Sequence, residues 1–120
     1  MTWNVEVTDE CKAWLEELDA ADFDSVDFSV DLLVERGPQL PFPHSSKVNG
    51  SKHDHMRELR VQSGGSPIRI FYAFDPRRSA ILLIGGNKAG DKRFYDRMIP
   101  VADELYDVYL AELRQEGLIP

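Results

Sequence analysis

The alternation of apolar and polar residues predicts one strand and two helices in the first third of the chain. Residues 3–8 alternate strictly, which is typical of a half-buried strand. A helix should follow, capped by Thr8, and a second helix should run from about Asp22 to Arg36, where Gly37-Pro38 ends it. The first helix carries an apolar face of Cys11, Trp14, Leu15 and Leu18, and the second one of Phe23, Val26, Val30, Leu33 and Val34.

The second half of the chain predicts three consecutive strands and a terminal helix. Alternation marks strands over about residues 56–62 and 68–75, joined by a turn at Gly64-Gly65. Residues 80–84 are continuously apolar and should form a central strand, which Gly85-Gly86 ends. A loop and short helix over 88–98 should break at Ile99-Pro100, and Pro100 should start the last helix.

These elements predict an α+β fold in the order β-α-α-β-β-β-α, as one domain over residues 1–120. We expect a four-stranded, mostly antiparallel twisted sheet, with the two N-terminal helices packed on it as a hairpin and the C-terminal helix nearby. The segment 39–55 has no such periodicity. Irregular segments of this length are often functional.

Charge is distributed unevenly along the chain. Residues 45–97 carry eleven Lys and Arg against five Asp and Glu, whereas residues 1–44 carry two against eleven and residues 98–120 carry one against five. The net charge of −7 and the pI near 4.9 argue against nucleic-acid binding by the whole surface. A focused site for a polyanion on the predicted sheet remains compatible with this pattern.

The composition bears on where the protein is located and on whether it binds a cofactor. No apolar run approaches the ~20 residues that a membrane span needs. The first residues lack the pattern of a signal peptide, and a lone cysteine excludes an internal disulfide. We therefore expect a cytoplasmic protein that has no membrane contact. We also expect no cofactor and no metal site.

Two arginines are the first candidates for chemistry. Arg60 and Arg69 both oppose the apolar alternation of their strands, so we expect them on one solvent-facing surface of the sheet. Two guanidinium groups placed there can clamp a phosphate. The alternative is that each pairs with Glu58 or Asp75, or simply faces solvent.

Further candidates surround these arginines. Lys88 follows a buried strand and can supply charge to a ligand, or be an ordinary loop lysine. Tyr95 can stack on an unpaired base, or belong to the core. His55 can transfer a proton near neutral pH, or be an exposed loop histidine. The basic residues that we expect to contact RNA are Lys52, Arg57, Lys92 and Arg93.

The chain resembles the RelE/ParE superfamily of toxins from bacterial toxin–antitoxin modules, and within it the HigB-like, phage-derived Gp49-like branch. The resemblance covers nearly the whole chain and rests on the order and spacing of several short motifs. These motifs are Ser46-Lys47-Val48-Asn49-Gly50, Glu58-Leu59-Arg60, Arg69-Ile70 with Tyr72, Leu82-Leu83 ahead of Lys88, Tyr95, and Ile99-Pro100-Val101-Ala102-Asp103.

The resemblance implies a toxin that cleaves mRNA in the ribosome without a metal, neutralised by a cognate antitoxin of the helix-turn-helix type. By position, the residues that match the family are Arg60, Arg69, Lys88 and Tyr95. We predict that Arg60, Arg69 and Lys88 act on the phosphate, and that Tyr95, or His55 on its own chemistry, orients a base or moves a proton. Two alternatives stay open. One is a protein of this fold that inhibits DNA gyrase or another target without cutting RNA. The other is a degenerate toxin fold that serves only as the partner of an antitoxin.

Overall fold

The computed structural model describes residues 2–120 and shows a central sheet with helices on both faces. The strands are β1 (Val5–Val7), β2 (Ser45–Lys47), β3 (Arg57–Ser63), β4 (Ser66–Phe74) and β5 (Ala80–Asn87). The helices are α1 (Asp9–Glu16), α2 (Ala20–Arg36) and α3 (Phe94–Gln115), with a short 3₁₀ turn at Gly37–Gln39. None of the helices in this part of the chain is long and apolar enough to cross a membrane.

The sheet has five strands in the order β1-β5-β4-β3-β2, so the predicted count of four is wrong. The additional strand is β2, which lies in the segment 39–55 that has no periodicity. It has only three residues, too few for alternation to be recognised, and it forms through its pairing with β3. The α+β class and the antiparallel pairing of β3, β4 and β5 are confirmed, while β1 pairs parallel with β5.

Two apolar cores lie on the two faces of the sheet. Helices α1 and α2 cover one face, where residues such as Leu33 pack on Leu59 and Ile70. Helix α3 covers the other face, where Phe94 and Ala102 lie among the residues of the second core. The central strand β5 is buried on both faces over residues 80–83, as its continuous apolar run predicts.

The first two helices begin at side-chain caps. The Thr8 hydroxyl accepts a hydrogen bond from the Cys11 N–H at 3.0 Å, which confirms the predicted cap. The Asp19 carboxylate caps α2 in the same way, through the Asp22 N–H at 2.8 Å. Burial raises the pKa of the Cys11 thiol to about 12, so this cysteine is a packed apolar group rather than a nucleophile.

Two predicted breaks are wrong, and packing explains both. Gly85 and Gly86 are part of β5 rather than its end. Glycine lies at these positions because aromatic rings pack closely on the strand: a Cβ at Gly85 would lie 2.4 Å from the Trp14 ring, and one at Gly86 2.9 Å from the Phe94 ring. Pro100 lies inside a continuous α3 rather than at its start. Ile99 and Ala102 on either side of it are buried against the sheet, and this packing offsets the loss of one helical hydrogen bond.

Candidate functional site

The basic surface of the sheet centres on a cross-strand pair of arginines. Arg60 on β3 lies directly opposite Arg69 on β4, and strand alternation places both side chains on the face that α3 covers. The sequence therefore places the two residues correctly relative to each other. The expected exposure to solvent is wrong for Arg69, which is only 5% exposed because helix α3 covers this face, whereas Arg60 is half-buried at the edge of the sheet.

Arg69 is held in a buried polar cluster. Its Nε lies 3.2 Å from Glu58 Oε1 in an ion pair without a hydrogen bond, and its Nη1 donates to the Ile68 carbonyl at 3.0 Å. Glu58 is also only 5% exposed. A buried ion pair compensates each charge, so the Glu58 carboxylate allows a guanidinium to remain charged at this depth.

Tyr95 completes the same cluster from the first turn of α3. Its hydroxyl donates to Glu58 Oε1 at 2.7 Å. Burial, followed by the hydrogen bond to Glu58, raises the pKa of the Tyr95 hydroxyl. The Tyr95 hydroxyl is therefore protonated at neutral pH and acts as a hydrogen-bond donor rather than as a base.

Lys88 extends the cluster from the residue that follows β5. Its Nζ lies 5.6 Å from the centroid of the Tyr95 ring, within the range of a cation–π contact. Asp91 stabilises the turn before α3, because its carboxylate accepts a hydrogen bond from the Arg93 N–H. Lys92 and Arg93 in this turn are both exposed, close to Tyr95 in the sequence. Arg69, Lys88 and Tyr95 therefore meet at the N-terminal end of α3, through Glu58 or beside it.

The outer part of the surface is a cleft at the edge of β3. Arg60 and Arg69 line this cleft of about 610 Å³ together with Pro43, His44 and residues of α2. The Arg60 guanidinium lies 5.1 Å from the centroid of the Phe42 ring, and this ring is 69% exposed. The cleft combines an accessible cation with an exposed aromatic ring, although Asp24 on α2 lines its opposite wall.

Similarity to known proteins agrees with this architecture. Residues 13–107 match the model of the family described as phage derived protein Gp49-like. The chain is 43% identical over 112 residues to HigB2 of Mycobacterium tuberculosis (strain ATCC 25618 / H37Rv), a span covering 92% of this chain and 55% of HigB2. It is 46% identical over 103 residues to HigB3 of the same organism, covering 85% of this chain and 89% of HigB3.

The chain belongs to the Gp49-like family. It is a HigB-like member of the RelE/ParE superfamily, as the sequence motifs indicate. Both relatives are named as candidate toxins, and this chain spans about half the length of HigB2. The Escherichia coli toxin RelE, as a double-arginine mutant in the free state, shares the fold with a TM-score of 0.58 at 10% identity, covering 78% of this chain and 92% of RelE.

Three predicted site residues of this HigB-like chain lie away from the cluster. His55 and Arg57 line a different cleft, near the end of β4 at Phe74. Arg57 is paired with Tyr72, three positions from Arg69 along β4, which corresponds to about 10 Å at the usual rise of a strand, and strand alternation places Arg57 on the opposite face of the sheet from Glu58. Lys52 forms an ion pair with Asp107 of α3, and the hydrogen bond from Lys52 is the first cause that lowers the pKa of the Asp107 carboxyl.

Glu58 is the residue whose structural role the sequence leaves undecided. Within Glu58-Leu59-Arg60 it is predicted only as a possible partner of an arginine, and the structure shows it joining Arg69 to Tyr95. The signal in the sequence is an acidic residue on the polar side of a basic strand. Metal ligation has no candidate here: in residues 2–120, no three His, Cys, Asp or Glu side chains converge in a way that could hold an ion.

Proposed function

We propose that this HigB-like protein is the toxin of a type II toxin–antitoxin module and a ribosome-dependent endoribonuclease that cleaves mRNA without a metal. The observation that carries the proposal is that Arg69, Lys88 and Tyr95 meet around Glu58, while Arg60 lies directly opposite Arg69 on the neighbouring strand. The names of HigB2 and HigB3 support the toxin assignment. A cognate antitoxin, of the helix-turn-helix type, is the expected partner, alongside mRNA on the ribosome.

The cations of the cluster have distinct proposed roles. RNA cleavage through the 2′-hydroxyl develops negative charge on the phosphate, which cationic groups stabilise. Arg60 is half-buried, its guanidinium lines the open cleft, and it contacts the phosphate directly in this proposal. Arg69 supplies positive charge from behind, and Lys88 stabilises the leaving oxygen or transfers a proton to it.

Tyr95 and Glu58 position the reacting groups in this proposal. The Tyr95 ring offers a face for an unpaired base while its hydroxyl is anchored on Glu58. Glu58 also fixes the guanidinium of Arg69. Lys92 and Arg93, both exposed before α3, extend the path of the RNA backbone. His55 and Lys52 have no contact with this cluster, so their predicted roles receive no support from its geometry.

A second function is favoured by the pairing of Arg69 with Glu58. Both side chains are buried and compensate each other, as in a purely structural ion pair. The same geometry therefore fits a toxin fold without nuclease activity, which inhibits gyrase or another target, or only binds an antitoxin. Such a protein would not require an accessible cation at Arg60.

The deciding experiment is controlled expression followed by mapping of mRNA 5′ ends. We expect wild-type protein to arrest growth, to generate new ends inside translated frames, and to be neutralised by the antitoxin gene. Arg60→Ala should abolish both effects, whereas Arg36→Ala, a matched loss of an exposed arginine on α2, should retain them. Arrest with DNA damage and no new RNA ends would replace the nuclease with a gyrase inhibitor. Normal growth with soluble folded protein would leave the antitoxin-partner function.

A further inference from the structure

A second pair of cations lies opposite one another at the start of β3. Lys47 on β2 and Arg57 on β3 are directly paired in register. In residues 2–120, neither side chain forms an ion pair. Like charges directly opposite each other on a sheet are destabilising, so this arrangement costs stability unless an anion lies between them.

Arg57 is held in a defined orientation by buried hydroxyl groups. Its Nε donates to Ser45 Oγ at 3.0 Å, and Ser45 Oγ lies 2.6 Å from the Tyr72 hydroxyl. Ser45 and Tyr72 are both buried. Because this anchor uses only Nε, the two terminal nitrogens remain the natural donors to a ligand, in the fork that matches phosphate oxygens.

Both cations line a cleft of about 550 Å³ that has apolar walls. The walls come from Pro38, Phe74, Pro76 and Tyr106, and His55 lies at the same cleft. This volume is within the range of small-molecule sites, which combine apolar walls with a few fixed polar groups.

Two carboxylates also line this cleft, and only one of them is uncompensated. Asp75 is held by Arg77, whose Nη2 lies 2.9 Å from Asp75 Oδ2. Asp54 is exposed and forms no ion pair within the described part of the chain. The cations Lys47 and Arg57 therefore outweigh the one free carboxylate.

We propose that this cleft binds a phosphate group, carried by a free nucleotide or by the backbone of RNA, with Arg57 and Lys47 as its cationic contacts. The aromatic and proline walls hold the base or sugar attached to the phosphate. Arg57 is next to Glu58 along β3, but strand alternation places their side chains on opposite faces of the sheet, so the site is separate from the Arg69 cluster. Its existence does not depend on nuclease activity.

The test measures binding to the purified full-length chain by calorimetry and amide chemical shifts. The probes are AMP, adenosine, inorganic phosphate and a trinucleotide with 2′-deoxy sugars, which resists cleavage through the 2′-hydroxyl. We expect AMP to bind with shifts in β2 and β3, and adenosine not to bind. Lys47→Gln/Arg57→Gln should weaken AMP binding by about tenfold or more, since hydrogen bonds to charged groups are lost.

Matched variants distinguish binding at this cleft from a general effect of the net charge of the protein. Lys12→Gln/Arg36→Gln removes the same charge from exposed positions on α1 and α2 and should leave binding unchanged. Asp54→Asn should strengthen it. A trinucleotide that binds far more tightly than AMP, with a steep salt dependence, identifies RNA as the source of the phosphate, whereas equal affinities identify a free nucleotide.

The unfolding temperature of a variant that changes only Lys47 provides an independent measurement. Lys47→Gln should raise the unfolding temperature in phosphate-free buffer and lose the stabilisation that phosphate gives the wild type. Equal binding of adenosine and AMP, unchanged binding in the double variant, or no binding at millimolar probe would overturn the proposal. Lys47 would then be a charge that guards an edge strand against association.

Discussion

Two residues of β3, Arg57 and Arg60, each lie directly opposite another cation on a neighbouring strand, but the charges of the two pairs are compensated differently. At Arg60 and Arg69, a carboxylate from the same strand enters the cluster and compensates the buried guanidinium. Lys47 and Arg57 form no ion pair within the described residues, although Asp54 lines the same open cleft. Burial is the difference: the guanidinium of Arg69 is removed from water and needs a partner within the fold, while exposed Lys47 and half-buried Arg57 remain open to solvent or to a ligand.

Glu58→Ala should have the largest effect on this comparison, because it leaves Arg69 buried without compensation. We expect a loss of about 3–5 kcal/mol in the free energy of unfolding, measured by urea denaturation. Adding Arg69→Ala should recover part of this loss, because the double variant no longer buries an unpaired charge. A loss in the double variant equal to the sum of the losses in Glu58→Ala and Arg69→Ala would mean that the two residues are not coupled.

Asp75 tests whether a carboxylate in the Lys47 and Arg57 cleft is compensated by another residue, because Asp75 lines this cleft and pairs with Arg77. Burial alone would raise its pKa, but hydrogen bonds from Arg77, Tyr109 and backbone N–H groups outweigh burial and lower it. A lowered folded pKa means that the stabilisation is complete above about pH 4 and is lost as pH falls through the folded value.

Asp75→Asn should therefore cost about 2 kcal/mol in the free energy of unfolding at pH 7 and much less at pH 2–3. Urea denaturation as a function of pH measures this, with Asp31→Asn on the exposed face of α2 as the control. A constant difference between wild type and Asp75→Asn across that range would contradict the assignment.

Tyr95→Phe tests the role of the hydroxyl separately from that of the ring. The variant removes the hydrogen bond to Glu58 and should cost about 1 kcal/mol in stability. Because the ring is retained, growth arrest on expression should persist, whereas Tyr95→Ala should lose it. Loss of arrest in a folded Tyr95→Phe would instead assign a chemical role to the hydroxyl.

Lys47→Glu should have the smallest effect, with the opposite sign. It converts a like-charge pair with Arg57 into an opposite-charge pair and should stabilise the fold by about 0.2–1 kcal/mol. Differential scanning calorimetry in phosphate-free buffer measures the change. If Lys47→Glu lowers the stability, then the two side chains do not repel each other in the folded protein.

Much of the fold follows from sequence patterns because those patterns are local. The apolar run of β5 and the turn at Gly64-Gly65, where both residues have positive φ, are confirmed. The alternation of β3 and β4 is enough to place Arg60 and Arg69 on one surface. By contrast, β2 and the continuity of α3 through Pro100 depend on partners distant in sequence, so local patterns do not predict them.

The candidate site, too, is predictable from the sequence only in part. Its positive charge is visible in the sequence as the excess of Lys and Arg over residues 45–97. The links from Glu58 to Arg69 and Tyr95 are not visible, because they join β3, β4 and α3 through the register and the packing of a helix. For the same reason, sequence proximity groups His55 and Lys52 with residues that the fold places elsewhere.

The sequence by itself determined the longer helices and strands, which face of each is apolar, where positive charge collects, and the family to which the chain belongs. Tertiary structure decided which element covers each face of the sheet and which cations are compensated. The physical reason is that periodicity specifies that a face must be buried but does not specify its partner. The pairing of charges depends on contacts between side chains tens of residues apart.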